Sequence, residues 1–196
     1  RACVEHGTHY CDITGEVGWI RSIIDAHHDE AVAKECRIVH AAGFDSIPFD
    51  LGVVVAQKAA VAKWGAPAER IRTVTGRMKG TLSGGTLASM ALIIDTARRD
   101  RAVLRRLANP YVLVPGARGP DRNDSTNVAH WAEHGVWTAP FIMAGCNTRV
   151  VRRTHALLGM PWGEEFSYTE AMGTGRGLRG WVRAQAIRIG IAFMVV

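Results

Sequence analysis

Cysteine is scarce in this chain of 196 residues, and the four present, Cys3, Cys11, Cys36 and Cys146, form no C-x-x-C pair. That spacing argues against zinc ribbons and fingers and against a disulfide-stapled scaffold; no metal is expected, and free thiols in apolar stretches suit a reducing, cytoplasmic compartment. No apolar run approaches the ~20 residues of a membrane-spanning helix, and no signal-peptide pattern is present. Internal repeats and low-complexity tracts are missing, which excludes solenoids and disordered linkers. Finger, homeodomain and RNP-type motifs are missing too, so nucleic acid is not an expected partner. Acidic residues are the minority, 18 against 24 basic ones, for a net charge of +6. Because the arginines are spread along the chain, that excess points to an anionic cofactor or an acidic membrane surface.

What is present is enough apolar material for a sizeable core: 47% hydrophobic residues at a mean hydropathy of +0.01. The first third alternates strand and helix. Thr8–Ile13 is rich in β-formers, Val17–Glu35 carries Ile20, Ile23 and Ile24 at helical spacing, Ile38–Ala42 is a short apolar run, and Leu51–Trp64 is a long apolar helix. That order predicts parallel strand pairing through a crossover helix. Gly65-Ala66-Pro67 then stops the helix and marks a change of unit. Beyond it, Arg70–Lys79 reads as a strand, and Gly80–Thr86 as a turn into a helix with Leu87, Met90, Ala91 and Ile94 on one face. Arg98–Arg106 reads as a solvated face, and Pro115–Asn127 as a mobile loop or lid. Trp131–Ala144 is a greasy segment that lines an apolar pocket or simply fills a core, and Asn147–Leu158 a helix capped by Asn147. Phe166–Met172 reads as a strand and Leu178–Val196 as an arginine-bearing apolar helix. The expected fold class is α/β: the C-terminal part of a Rossmann-like parallel sheet in residues 1–66, then an α+β substrate or lipid-facing domain in residues 67–196. The chain reads as cut at both ends. The last helix leaves open a peripheral membrane contact through residues 178–196, and an unpaired sheet edge leaves open a homo-oligomer.

The densest chemistry lies in Gly43-Phe44-Asp45-Ser46-Ile47-Pro48-Phe49-Asp50-Leu51-Gly52. Gly43 permits a tight exit from the strand, and Pro48 suits the first turn of the following helix. Asp45 and Ser46 are either caps of that turn or site residues, since ligands in open α/β sheets bind outside the carboxyl ends of the strands. Asp12 and Glu16 end the preceding strand and face the same rim, or else cap and pair locally. Ser83-Gly84-Gly85-Thr86 offers a second candidate, because glycines before a helix let a ligand approach the backbone and the helix start favours an anion; the plain alternative is a turn capped by Ser83 or Thr86. His27 and His28 are adjacent, so they point to different faces and do not chelate.

The run Gly7-Thr8-His9-Tyr10-Cys11-Asp12-Ile13-Thr14-Gly15-Glu16, followed by the Gly43–Pro48 corner, resembles the saccharopine dehydrogenase-like oxidoreductases, and among them the bacterial trans-acting enoyl reductases. Ser83–Thr86 and Asn147-Thr148-Arg149-Val150-Val151-Arg152-Arg153 resemble the same branch; Phe49 departs from it, standing where a small residue is expected. The resemblance implies a dinucleotide-binding domain whose opening Gly-rich turn is missing from this sequence, and NADP or NAD as cofactor. It implies reduction of an enoyl group on an acyl chain presented by a carrier or synthase. It places Gly43, Phe44, Asp45, Ser46, Pro48 and Asp12 against the cofactor and Ser83, Gly84, Gly85 and Thr86 against substrate, with Tyr10, Asp45 and Ser46 as candidate catalytic groups. Two rivals fit the same fold: a saccharopine-type C–N dehydrogenase, which needs several basic groups for a dicarboxylate, and a non-catalytic lipid-surface or partner-binding protein.

Overall fold

The structure, a computed structural model, describes residues 1–76, 84, 105, 107–116 and 119–195. It is mixed α/β. A short helix α1 (Ala2–Glu5) ends at Gly7, whose φ of 63° is the left-handed conformation that closes a helix. Strand β1 (Tyr10–Cys11) leads to α2 (Val17–Ala33), then β2 (Ile38–Val39) and α3 (Ile47–Trp64). β1 and β2 pair in parallel, as the strand–helix–strand order predicts, though both are shorter than the apolar runs that contain them. α2 turns Val17, Ile20, Ile24 and Ala31 inward, one face of a 3.6-residue period. α3 begins earlier than its apolar run, at Ile47, with Pro48 in its first turn, and Gly65 at φ 75° closes it by donating to the Val61 carbonyl. Its buried Gln57 then holds the amide and the carbonyl of Ala68 at 2.8 and 2.9 Å, fixing the approach to the next strand.

That strand, β3 (Arg70–Thr75), joins a four-stranded mixed sheet with β4 (Ala129–Trp131), β5 (Val136–Ala139) and β6 (Ser167–Gly175), in the order β3-β6-β5-β4. β3 and β6 are parallel; β6 with β5 and β5 with β4 are antiparallel. The β4–β5 hairpin, turned by a 3-10 segment at Ala132–His134 and by Gly135 at φ 62°, occupies most of what reads in sequence as a single greasy stretch. Helix α4 (Ala144–Leu157) packs on β6 and on α3, and α5 (Gly177–Val195) packs on β5 and β6.

Among the described residues two apolar clusters form the core, and both draw on residues from either side of residue 66. One joins Val17, Ile20, Ile24 and Ala41 to Val112, Leu113 and Cys146; the other joins Val53 to Val151, Trp162, Phe166 and Tyr168. His155 seals the second, stacked on Trp162 at 4.8 Å with its Nε2 against the Gly163 carbonyl. Among the described residues no helix is long and apolar enough to cross a membrane. α5 nevertheless carries an exposed stripe, Leu178, Val182, Ile189 and Phe193. The helix predicted after Gly80 and the arginine face at 98–106 fall almost wholly outside the described residues.

Candidate functional site

Because β1 and β2 run parallel, the segments that leave them share one rim. Asp12, just past β1, meets His40, just past β2, with its Oδ2 2.6 Å from Nδ1. Burial pushes the Asp12 carboxyl up, but the His40 contact and the Thr14 amide outweigh it and hold the group below its usual range. The rings of Trp19 and Tyr10 stand edge-on to His40 at 5.3 and 6.1 Å. Partial desolvation and the neighbouring Asp12 carboxylate raise the Tyr10 phenol. At Gly43 an added Cβ would lie 3.3 Å from the Ile13 side chain, so the two rim segments approach as closely as a glycine allows. Beside that contact, Ile13 and Phe44 are 82% and 84% exposed, an uncovered apolar ledge at the carboxyl ends of the strands. Asp45 and Pro48 are exposed next to it, and Asp45 makes no hydrogen bond or ion pair with other described residues.

One residue further the corner turns inward. Ser46 is buried, and although it occupies the N-cap position of α3 its side chain makes no capping bond. Its Oγ instead donates to Asn147 Oδ1 at 2.8 Å. Asn147 Nδ2 donates to Glu170 Oε2 at 3.1 Å, and the Tyr168 hydroxyl lies 2.9 Å from Glu170 Oε1 and 3.1 Å from Thr73 Oγ1. Strand alternation explains the grouping: Tyr168 and Glu170 are two apart on β6 and so share a face, and Thr73 is the register partner of Glu170 on β3. Burial is the largest influence on this chain. It pushes the Glu170 carboxyl up to about 7 against the pull of Tyr168 and Asn147, and raises the Tyr168 phenol well above its ordinary value. The Cys146 thiol behind Ser46 is pushed up by burial to about 11, which makes it an inert packing group.

Helix α4 holds this chain in place with arginines. Arg152 pairs with Asp121 at 2.6 Å, both side chains 3% exposed, and also donates to the carbonyls of Pro110 and Tyr168. Arg149 pairs with Asp124 at 2.9 Å and donates to the Leu107 carbonyl. The described part of the polar segment 115–127 is therefore tied down through Asp121 and Asp124 rather than loose as a lid. Asp50, in the first turn of α3, accepts from Thr154 Oγ1 at 2.9 Å, and burial raises its carboxyl above the usual value. Asp50 and Thr154 also line a cleft of about 270 Å³ between α2, β2 and α4.

The structure thus brings Tyr10 and Asp12 together around His40, and places Phe44, Asp45 and Pro48 beside them on the exposed rim. Ser46 departs from that set by pointing inward. Asn147 is a correction: α4 starts at Ala144, with Met143 at its N-cap position, so Asn147 lies inside the first turn and spends its amide on Ser46 and Glu170. Buried side-chain amide groups must be paired, and Ser46 and Glu170 supply both partners inside the core. Of the second candidate, Ser83, Gly85 and Thr86 lie outside the described residues; Gly84 is helical and exposed, with open space where a side chain would stand. Glu170 and Tyr168 were missed as site residues, although alternation within the strand expected there already puts them on one face. Among the described residues no group of three His, Cys, Asp or Glu is placed to hold a metal ion.

Comparison with known proteins adds three relatives. A Mycobacterium tuberculosis protein named, provisionally, a trans-acting enoyl reductase is 42% identical over 184 residues, covering 89% of this chain and 43% of that protein. Proteins named trans-acting enoyl reductase from Mycobacterium ulcerans and Mycobacterium leprae are 34% and 32% identical, over 97% and 95% of this chain and 48% and 47% of their own lengths. The chain therefore spans about half the length of the curated relatives it matches. No family model and no solved structure matches it.

Proposed function

We propose that this chain is part of an NAD(P)H-dependent oxidoreductase of the saccharopine dehydrogenase-like kind that reduces the enoyl group of a lipid or polyketide acyl chain, presented by a synthase or carrier. The observation that carries this reading is the similarity to proteins named trans-acting enoyl reductases, which runs over nearly the whole chain. The rim supports it. An uncovered apolar ledge at the carboxyl ends of two parallel strands, with a carboxylate beside it, suits a flat, amide-bearing ring such as nicotinamide. In this reading residues 1–66 belong to the nucleotide-binding part and residues 67–196 to the substrate part.

When bound, the cofactor, NADP or NAD, supplies a hydride to the β-carbon of the enoyl group. The chain's own residues do the rest. Ile13 and Phe44 form the wall against the ring, with Gly43 allowing the two rim segments to approach. Asp45 orients the ring's carboxamide by accepting from its N–H. Asp12 and His40 fix Tyr10, whose phenol donates to the oxygen on which negative charge develops. Ser46 acts from inside: bonded to Asn147, it anchors the corner rather than touching substrate. Ser83, Gly84, Gly85 and Thr86 are assigned to the acyl chain. The arginines and the apolar stripe of α5 provide a peripheral contact with lipid or with a second copy.

The test uses a protein of the relatives' full length. Phe44→Ala and Asp45→Ala each weaken NADPH binding about tenfold by fluorescence titration, while the thermal melt stays in place. Reduction of an enoyl thioester falls with them. Unchanged NADPH affinity in both variants would remove the corner from the cofactor site.

A further inference from the structure

We propose that the cleft between α2, β2 and α4 binds a long-chain carboxylate, its aliphatic tail lying along Ile20, Ile24 and Val150 and its head on Arg153. Three observations on the cleft select that chemistry.

The first is the wall. Ile20 and Ile24 from α2 and the half-buried Val150 of α4 pack as one surface, and Ile38 of β2 continues it, so the ligand's body is aliphatic. The second is the cation. Arg153 lines the cleft half-buried and donates to the Leu113 carbonyl at 2.7 Å, leaving the rest of its guanidinium fork to other acceptors. No carboxylate pairs with it among the described residues. Its neighbours in α4 show how unusual that is, since Arg149 and Arg152 each hold an aspartate. The nearby cation, Arg21, donates to the adjoining Val112 carbonyl and is satisfied by Asp25. Two guanidiniums grip consecutive carbonyls with one acid between them, and Arg153 is held below the usual arginine value, by its burial first and by Arg21 second. What completes this end of the cleft is an anion, and a carboxylate matches the fork geometry.

The third observation concerns the remaining polar lining. Asp50 accepts from Thr154 through Oδ2, while its Oδ1 is buried without a hydrogen-bond partner among the described residues, and His40 is committed to Asp12. Neither pairs with Arg153, so the N–H groups it does not spend on Leu113 stay open to the head group. His27 and His28 also line the cleft, and neither is an acid. The assignment stands independently of the reductase reading, since a free carboxylate is neither a carrier-bound enoyl group nor a nucleotide.

Calorimetric titration of the chain with dodecanoate, dodecanol and dodecyltrimethylammonium, each below its micelle concentration, tests it. Dodecanoate is expected to bind about tenfold or more tightly than dodecanol, and the ammonium weakest, because a charge-assisted bond is added to the same tail contact. In Arg153→Gln the carboxylate loses that advantage and matches the alcohol; Arg153→Lys retains part of it. Ile24→Trp, which fills the cleft, removes both ligands. Equal affinity for the three head groups on the unmodified chain would overturn the proposal without any variant having to fold. Undiminished dodecanoate binding in a folded Arg153→Gln would overturn it as well.

Discussion

Two sides of one corner behave oppositely. Outside, Phe44 and Asp45 stand uncovered on the strand rim, and Asp45 has no partner among the described residues. Inside, Ser46 opens a chain of hydrogen bonds through Asn147 and Glu170 to Tyr168 and Thr73, reaching three further elements. The difference lies in what each residue would leave behind if lost. A buried donor or acceptor deprived of its partner costs its desolvation penalty, whereas an exposed one returns to water. A position on the outer side is therefore free to serve a ligand, and a position on the inner side is bound to serve the fold.

The contrast breaks most visibly at the ion pair that backs the inner chain. Asp121→Ala leaves Arg152 charged and buried, and should lower unfolding free energy by about 3–5 kcal/mol in urea titration. Asn147→Ala leaves Ser46 and Glu170 without their shared partner, and should cost about 1–3 kcal/mol by the same measurement. Indifference to either change would place the inner side in the same class as the outer.

Acidity sharpens the comparison. In the folded chain Glu170 titrates near 7 rather than at its ordinary 4.5, because burial favours the neutral form. The folded state thus holds a proton that the unfolded state releases between these values. Its contribution to stability is full below the ordinary value and is lost as pH rises through about 7. Glu170→Gln should flatten that part of the stability–pH curve and raise stability above the native chain's at pH 8. A curve unchanged by the substitution would show that Glu170 titrates normally. Smallest in stability are the outer substitutions: Phe44→Ala and Asp45→Ala should move it by no more than about 0.5 kcal/mol. A larger drop in either would mean that the ledge is structural.

Local chemistry made the outer side legible in sequence. Gly43, Pro48 and the flanking apolar runs announce a strand, a turn and a helix within a few positions, and the spacing of Ile20 and Ile24 announces the crossover helix. The inner side depends on partners far apart in the chain. Ser46 and Asn147 are separated by 101 positions, and each has a local role, capping, that its residue type performs well and that this fold does not use. The β4–β5 hairpin was hidden for another reason. Trp131, Trp137 and Phe141 dominate the stretch while Glu133, His134 and Gly135 break it, so neither a two-residue nor a 3.6-residue period runs long enough to stand out.

The central position of β6 has a consequence during synthesis. Among the described residues β3 has one partner in the sheet, β6; Tyr168 and Thr73, bonded across that pair, are 95 positions apart. A ribosome adding roughly 5–20 residues per second therefore exposes β3 for several seconds before its partner emerges. Closing so long a loop is entropically slow as well. Over that interval an emerging β3 is open to chaperones, or to the β6 of a finished neighbour, while the β4–β5 hairpin can already pair with itself.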